Sequence, residues 1–132
     1  MTDSNRSYDE NGYLEVLVSK GYGAGWSTWN EDSSINLATD KRIIDFVKSD
    51  VFKSQDVKAT KEFFKTLGIG IRIHSENPEE DEDYDPQYEY AYGGGFFDCI
   101  IKKLEPGTLF HVREYDGNEY IEVFNPGEWE RA

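Results

Sequence analysis

Residues 21–30 read Gly-Tyr-Gly-Ala-Gly-Trp-Ser-Thr-Trp-Asn and follow directly on a strand-like run at residues 13–20. Glycines at three alternate positions give up side-chain packing and raise the entropy cost of ordering the backbone. Two of the chain's three tryptophans lie within the next four residues. A segment so built is one of two things. It is a demanding turn in the core, where the glycines let Trp26 and Trp29 approach the backbone. Or it is a surface that holds a ligand or partner, since binding sites gather aromatics and convergent polar groups. The burial of the two indoles separates these outcomes.

The glycine spacing excludes two phosphate-binding loops. No Gly-Lys-Ser/Thr follows, so there is no P-loop. The third glycine falls one residue early for a dinucleotide fingerprint, and no helix signal begins there. A phosphate bound here would use bare backbone amides at Gly21, Gly23 and Gly25. Trp26 or Trp29 would then stack on a planar group, with Ser27 and Thr28 as hydrogen-bond donors. Arg72, His111 and Arg113 would neutralise charge.

The remainder reads as a single α+β domain over residues 12–132, behind a flexible lead at residues 1–11. In the first strand Leu14, Val16 and Val18 share a face. Thr39 is placed to cap a helix near residues 40–48, with Ile43, Ile44 and Val47 as its apolar stripe. A second helix is expected over residues 56–67, capped by Ser54 or Asp56. Val57, Phe64 and Leu67 line its buried side, Lys58, Lys61 and Lys65 its exposed one, and Gly68 stops it. Residues 69–74 alternate Ile69, Ile71 and Ile73 with smaller or polar residues, as a strand does. Further strands are expected at residues 87–92, 96–104, 108–115 and 119–124. The run containing Phe96, Phe97, Ile100 and Ile101 reads as buried on both faces. The last two strands form the clearest hairpin, joined at Asp116-Gly117 or Gly117-Asn118. The tail, residues 125–132 with Trp129, is a candidate to dock on the sheet. The expected architecture is a mostly antiparallel sheet of about six strands, with two helices inserted after the first strand.

The net charge is −13. Just over half of it lies in the acidic loop, residues 76–86, whose first ten positions hold seven carboxylates and no cation. This balance argues against direct binding to nucleic acid or an anionic membrane, which needs Lys and Arg. It favours a basic partner. The run lacks EF-hand spacing and the central glycine, so it is not a calcium loop. Read as a solvated loop it has no partner. Read as a docking segment it would use Glu79, Glu80, Asp81, Glu82, Asp83, Tyr84, Asp85 and Tyr88, because tyrosines among acids anchor interfaces.

Catalysis finds little support. Cys99, the single cysteine, sits in an apolar strand and reads as a buried, inert thiol. With His74 and His111 as the only histidines, a four-ligand structural zinc site would need carboxylates. His111, Arg113 and Tyr115 share one face of their strand, either as a polar row for an anionic ligand or as a solvated sheet face. No nucleophile–base pair, metal set or cofactor fingerprint is present. The chain is therefore expected to be no enzyme and to need no cofactor. With no apolar h-region at the start and no apolar run of spanning length, it is also expected to be soluble.

The Gly-Tyr-Gly-Ala-Gly-Trp-Ser-Thr-Trp-Asn stretch after an opening strand resembles a signature of small uncharacterised proteins of tailed bacteriophages and prophages. Residues 105–121, Glu-Pro-Gly-Thr-Leu-Phe-His-Val-Arg-Glu-Tyr-Asp-Gly-Asn-Glu-Tyr-Ile, are similar to a C-terminal signature of the same proteins. The likeness covers both ends, about a third of the chain, and carries no residue roles. It implies an accessory phage protein in the host cytoplasm, and such proteins often act by binding. Two readings follow. One is an inhibitor that covers a basic surface on a host or anti-phage defence protein. The other is a binder of a small nucleotide-like ligand at the glycine-tryptophan loop. Oligomerisation is compatible with either.

Overall fold

The computed structural model describes residues 5–73 and 87–124. Its first strand, β1 (Leu14–Ser19), is buried along its whole length. The expected single apolar face is therefore two. Leu17 joins the main core, whereas Leu14 and Val16 join a smaller cluster with Ala38. The strand pairs with β4 (Cys99–Leu104), antiparallel, from Leu14 opposite Leu104 to Ser19 opposite Cys99. The amides of Glu15, Leu17 and Ser19 point to the other edge, because alternate residues share an edge. Each finds a different acceptor: the Ser7 carbonyl at 2.9 Å, the Ala38 carbonyl at 2.7 Å and the Glu119 carboxylate at 2.8 Å. Chain segments and one side chain close this edge, so among the described residues no further strand pairs there.

Two of the helices lie where their periodicity puts them, although the cap of the first is Asp40 and not the expected Thr39. Helix α1 (Lys41–Val47) begins one residue later than expected. Asp40 caps it, its carboxylate accepting the Arg42 amide at 2.9 Å. A one-turn helix, α2 (Asp50–Lys53), follows and was not expected; Ser49 caps it. Helix α3 (Val57–Thr66) is capped by Asp56, which accepts the Ala59 amide at 3.0 Å. Gly68 ends it with φ +82°, a left-handed conformation that other residues adopt at a penalty. Ile43, Ile44, Val47 and Phe64 enter the main core with Trp26, Leu37, Ile69, Ile71, Ala91 and Phe96. Phe46, Phe52 and Phe63 pack against it from the helices.

Mixed α+β is the right class, but the sheet is split. Strands β2 (Ile69–Arg72) and β3 (Glu89–Tyr92) make a separate pair, and it is parallel. A parallel pair needs a connection of about a dozen residues or more, and residues 73–88 supply it. The expected strand at 96–104 is also shorter. Phe96–Asp98 forms a 3₁₀ turn that buries Phe96, and Ile100 in β4 is exposed. Burial on both faces fails there because the solvent side of β4 is uncovered.

The hairpin forms as expected from β5 (Phe110–Tyr115) and β6 (Asn118–Val123). Asp116 (φ +49°) and Gly117 (φ +86°) both lie at positive φ, the mark of a type I′ turn. A side chain at position 117 would also strike the backbone of Ala24. The hairpin tip is thus pressed against the glycine-tryptophan loop.

Candidate functional site

The loop between β1 and α1 is built around one carboxylate. Glu119 of β6 is 0 % exposed. It accepts the Ser19 amide at 2.8 Å, the Trp26 amide at 2.7 Å, the Thr28 amide at 3.0 Å and the Thr28 hydroxyl at 2.6 Å. The Lys20 ammonium donates to the Glu119 backbone carbonyl at 2.9 Å. The loop does cradle an anion with its amides, but the anion is the protein's own. The Gly23 amide is taken by the Asp116 carbonyl. A phosphate at the Gly23 amide would have to displace this carbonyl, which corrects the expectation placed on Gly23. Packing explains the glycines better. A Cβ at Gly21 would meet the Asp98 side chain, and one at Gly25 would meet Thr28 and Trp29.

The two tryptophans part company. Trp26 is 0 % exposed, donates its indole N–H to the Leu37 carbonyl at 2.8 Å, and packs on Phe64 and Phe96. It is a core residue and has no face open to a ligand, which corrects its place among the candidate binding residues. Trp29 is 42 % exposed and stacks on Tyr92, with ring centroids 5.8 Å apart and planes at 22°. Its indole N–H donates to Glu114 at 3.2 Å. Glu114 also accepts the Gly117 amide at 2.8 Å. The Gly117 and Trp29 donors together hold its carboxyl below the ordinary carboxylate range. Between the tryptophans, Ser27–Trp29 forms a 3₁₀ turn. Asn30 then fastens the loop to β3. Its side-chain oxygen accepts the Tyr92 amide, and its side-chain nitrogen donates to the Tyr92 carbonyl, both at 2.8 Å.

Trp29, Glu31, Asp32, Glu89 and Tyr90 line an open cleft of about 220 Å³. Glu31 and Asp32 are exposed, and Glu89 is half-buried. Burial would raise the Glu89 carboxyl. Hydrogen bonds from Ser34, whose amide lies 3.0 Å away, and from Ser33 outweigh it and hold the group below its ordinary value. The wall is thus an exposed indole beside three carboxylates. Such a wall accepts a cation by charge and by the ring face together.

The basic candidates are spread over three places. The Arg72 guanidinium lies 5.8 Å from the Tyr92 ring centroid. Arg113 pairs with Glu122 at 2.6 Å on the outer face of the hairpin, where Arg113, His111 and Tyr115 are all exposed. His111 also lines a different cleft, with Ser27 and Thr28. They do not close around the glycine loop as one anion site. Tyr88 is half-buried just ahead of β3. The docking candidates Glu79, Glu80, Asp81, Glu82, Asp83, Tyr84 and Asp85 lie outside the described residues, as do His74 and Trp129. Cys99 is buried, as expected. Burial, and after it the negative charges of Glu119 and Asp98, push its thiol well up, which suits an inert group.

Glu119, Asn30 and Glu114 were not singled out by the sequence reading. One signal was present for Glu119: it shares a strand face with the apolar Ile121, so an acid falls on an inward position. No comparable local signal marks Asn30. No described helix is long and apolar enough to cross a membrane. No family model matches the chain, and no curated protein or solved structure is significantly similar to it.

Proposed function

We propose that this chain is a protein-binding module that docks on a basic surface of its partner. In the setting implied by the phage resemblance, it is an accessory protein of the host cytoplasm that inhibits a host or anti-phage defence protein. The supporting observation is the cleft where the exposed Trp29 stands beside Glu31, Asp32 and Glu89. Tryptophan is a frequent interface anchor. Acidic groups around it draw a basic partner and orient it, and the chain's charge of −13 acts in the same direction over longer range. The hydrogen bonds from Ser34 and Ser33 offset the burial of Glu89 and hold its carboxyl below the ordinary value, in keeping with a negative cleft. The anion-binding form of the ligand reading has less support, because Glu119 already occupies the Ser19, Trp26 and Thr28 amides around the loop and the Asp116 carbonyl takes the Gly23 amide.

Affinity capture from bacterial lysate tests the proposal. The bait is compared at low and high salt, and as wild type, Trp29→Ala and Glu89→Gln. A partner held by the wild type at low salt, and lost at high salt and from both variants, is the expected result. A partner indifferent to salt and to both substitutions would sink the reading.

A further inference from the structure

The turn Ser27–Trp29 gives Trp29 to one cleft and Ser27 and Thr28 to another. This second cleft, of about 390 Å³, falls in the range of small-molecule sites. Its walls differ in chemistry. Phe110 and Val112, the inward residues of β5, provide an apolar wall. Ser27, Asn36 and Thr39 provide a polar one. Thr39 is 1 % exposed, yet its hydroxyl has no hydrogen-bond partner in the structure. Its backbone groups are fully used, the amide by Asn36 and the carbonyl by Ser7. A buried hydroxyl left unpaired calls for a reason. Asn36 is oriented by its own loop. Its side-chain oxygen accepts the Ala38 amide at 3.0 Å, which leaves its NH₂ as the outward donor.

We propose that this cleft binds a nucleoside, the base lying against Phe110 and Val112 and its polar edge meeting Asn36, Ser27 and the Thr39 hydroxyl. A nucleobase combines a flat apolar face with a rim of acceptors and donors, and proteins read it by matching both. Arg6, Glu31 and His111 also line the cleft, so its own charges are mixed, and it is the chain's net charge of −13 that favours the neutral nucleoside over its phosphorylated forms. The site shares Glu31 with the Trp29 cleft, and it does not rest on the protein-docking function.

The test is an amide-resolved NMR titration of the full chain with adenosine, cytidine and their 5′-monophosphates. At least one nucleoside is expected to shift the amides of Ser27, Asn36, Thr39 and Val112, and to bind no more weakly than its monophosphate. Thr39→Val keeps the shape and removes the hydroxyl. It is expected to weaken binding about tenfold, on the scale of one lost buried hydrogen bond. Ser27→Ala serves as the second variant and is expected to weaken binding several-fold. Trp29→Ala, in the other cleft, should bind as wild type. The proposal is overturned by no shift at millimolar nucleoside, by shifts confined to the Trp29 cleft, or by wild-type affinity in Thr39→Val and Ser27→Ala. Tighter binding of the monophosphate overturns the neutral-ligand assignment.

Discussion

Trp26 and Trp29 sit one turn apart in the same loop, and each is tied to a glutamate of the same hairpin. Glu114 and Glu119 are direct cross-strand partners. Glu119 holds the backbone of Trp26 in a buried site and is itself fully enclosed. Glu114 holds the indole of Trp29 at an exposed edge. Both are carboxylate–tryptophan contacts, and they have different consequences. In the first, three backbone amides and a hydroxyl share a desolvated acceptor, and losing it would strand them without water. In the second, solvent replaces whatever is lost. The loop is thus a structural clamp at one tryptophan and a presentable surface at the other.

The sharpest way to break this contrast is to truncate each indole. Trp26→Ala is expected to destabilise the fold by about 3–5 kcal/mol through the cavity and the lost apolar burial. Trp29→Ala should stay within about 1 kcal/mol. Urea denaturation of both variants checks this, and similar losses would mean that Trp29 is also a core residue. Glu119→Gln comes next. It keeps the shape but removes the charge and turns one acceptor into a donor facing backbone amides. A loss of about 2 kcal/mol or more is expected, whereas Glu114→Gln should be nearly neutral. If the two glutamines behave alike, the buried clamp is not what orders the loop.

Gly117→Ala probes how the hairpin tip meets the loop. The left-handed backbone and the adjacent Ala24 backbone both oppose a side chain there. A loss of more than about 1 kcal/mol is expected, read from the thermal midpoint by circular dichroism. Wild-type stability would show that the tip can retreat from the loop.

The smallest effect is expected from Glu15, a third carboxylate, on β1. Burial would raise its pKa, but hydrogen bonds from Lys48 and Ser7 outweigh burial and leave it below the ordinary 4.5. A carboxyl depressed in the folded state stabilises the fold above its unfolded pKa. That contribution is lost as pH falls through the folded value. Lys48→Met removes the cation and should move the acid-unfolding midpoint to higher pH, and Ser7→Ala, which removes the other lowering hydrogen bond, should move it the same way by less. An unchanged acid limb in Lys48→Met would detach Glu15 from acid stability.

Helices α1 and α3 were legible because their information is local: an apolar stripe at helical spacing in both and, for α3, a capping acid and a glycine stop, whereas the cap of α1 was expected at Thr39 and is Asp40. The hairpin was legible for the same reason, since Asp-Gly specifies a type I′ turn and the flanking residues alternate. The parallel pairing of β2 with β3 was not. Periodicity assigns a strand its faces but says nothing of its neighbour or direction. The split of the sheet was hidden too, because Glu119 and Asn30 close strand edges with side chains, and no pattern of apolar residues announces that. Of the candidate site, Trp29 survives as a surface residue, Trp26 does not, and the basic residues separate.

By itself the sequence determined the class of the fold, the hairpin turn, the buried cysteine and the excess of negative charge, all properties of composition or near neighbours. Tertiary structure decided which tryptophan is core, what fills the amide cradle and which residues share a cleft. The physical reason lies in one contact. The Trp26 amide meets Glu119 from 93 residues away, and a hydrogen bond of that separation exists only once the chain has closed on itself.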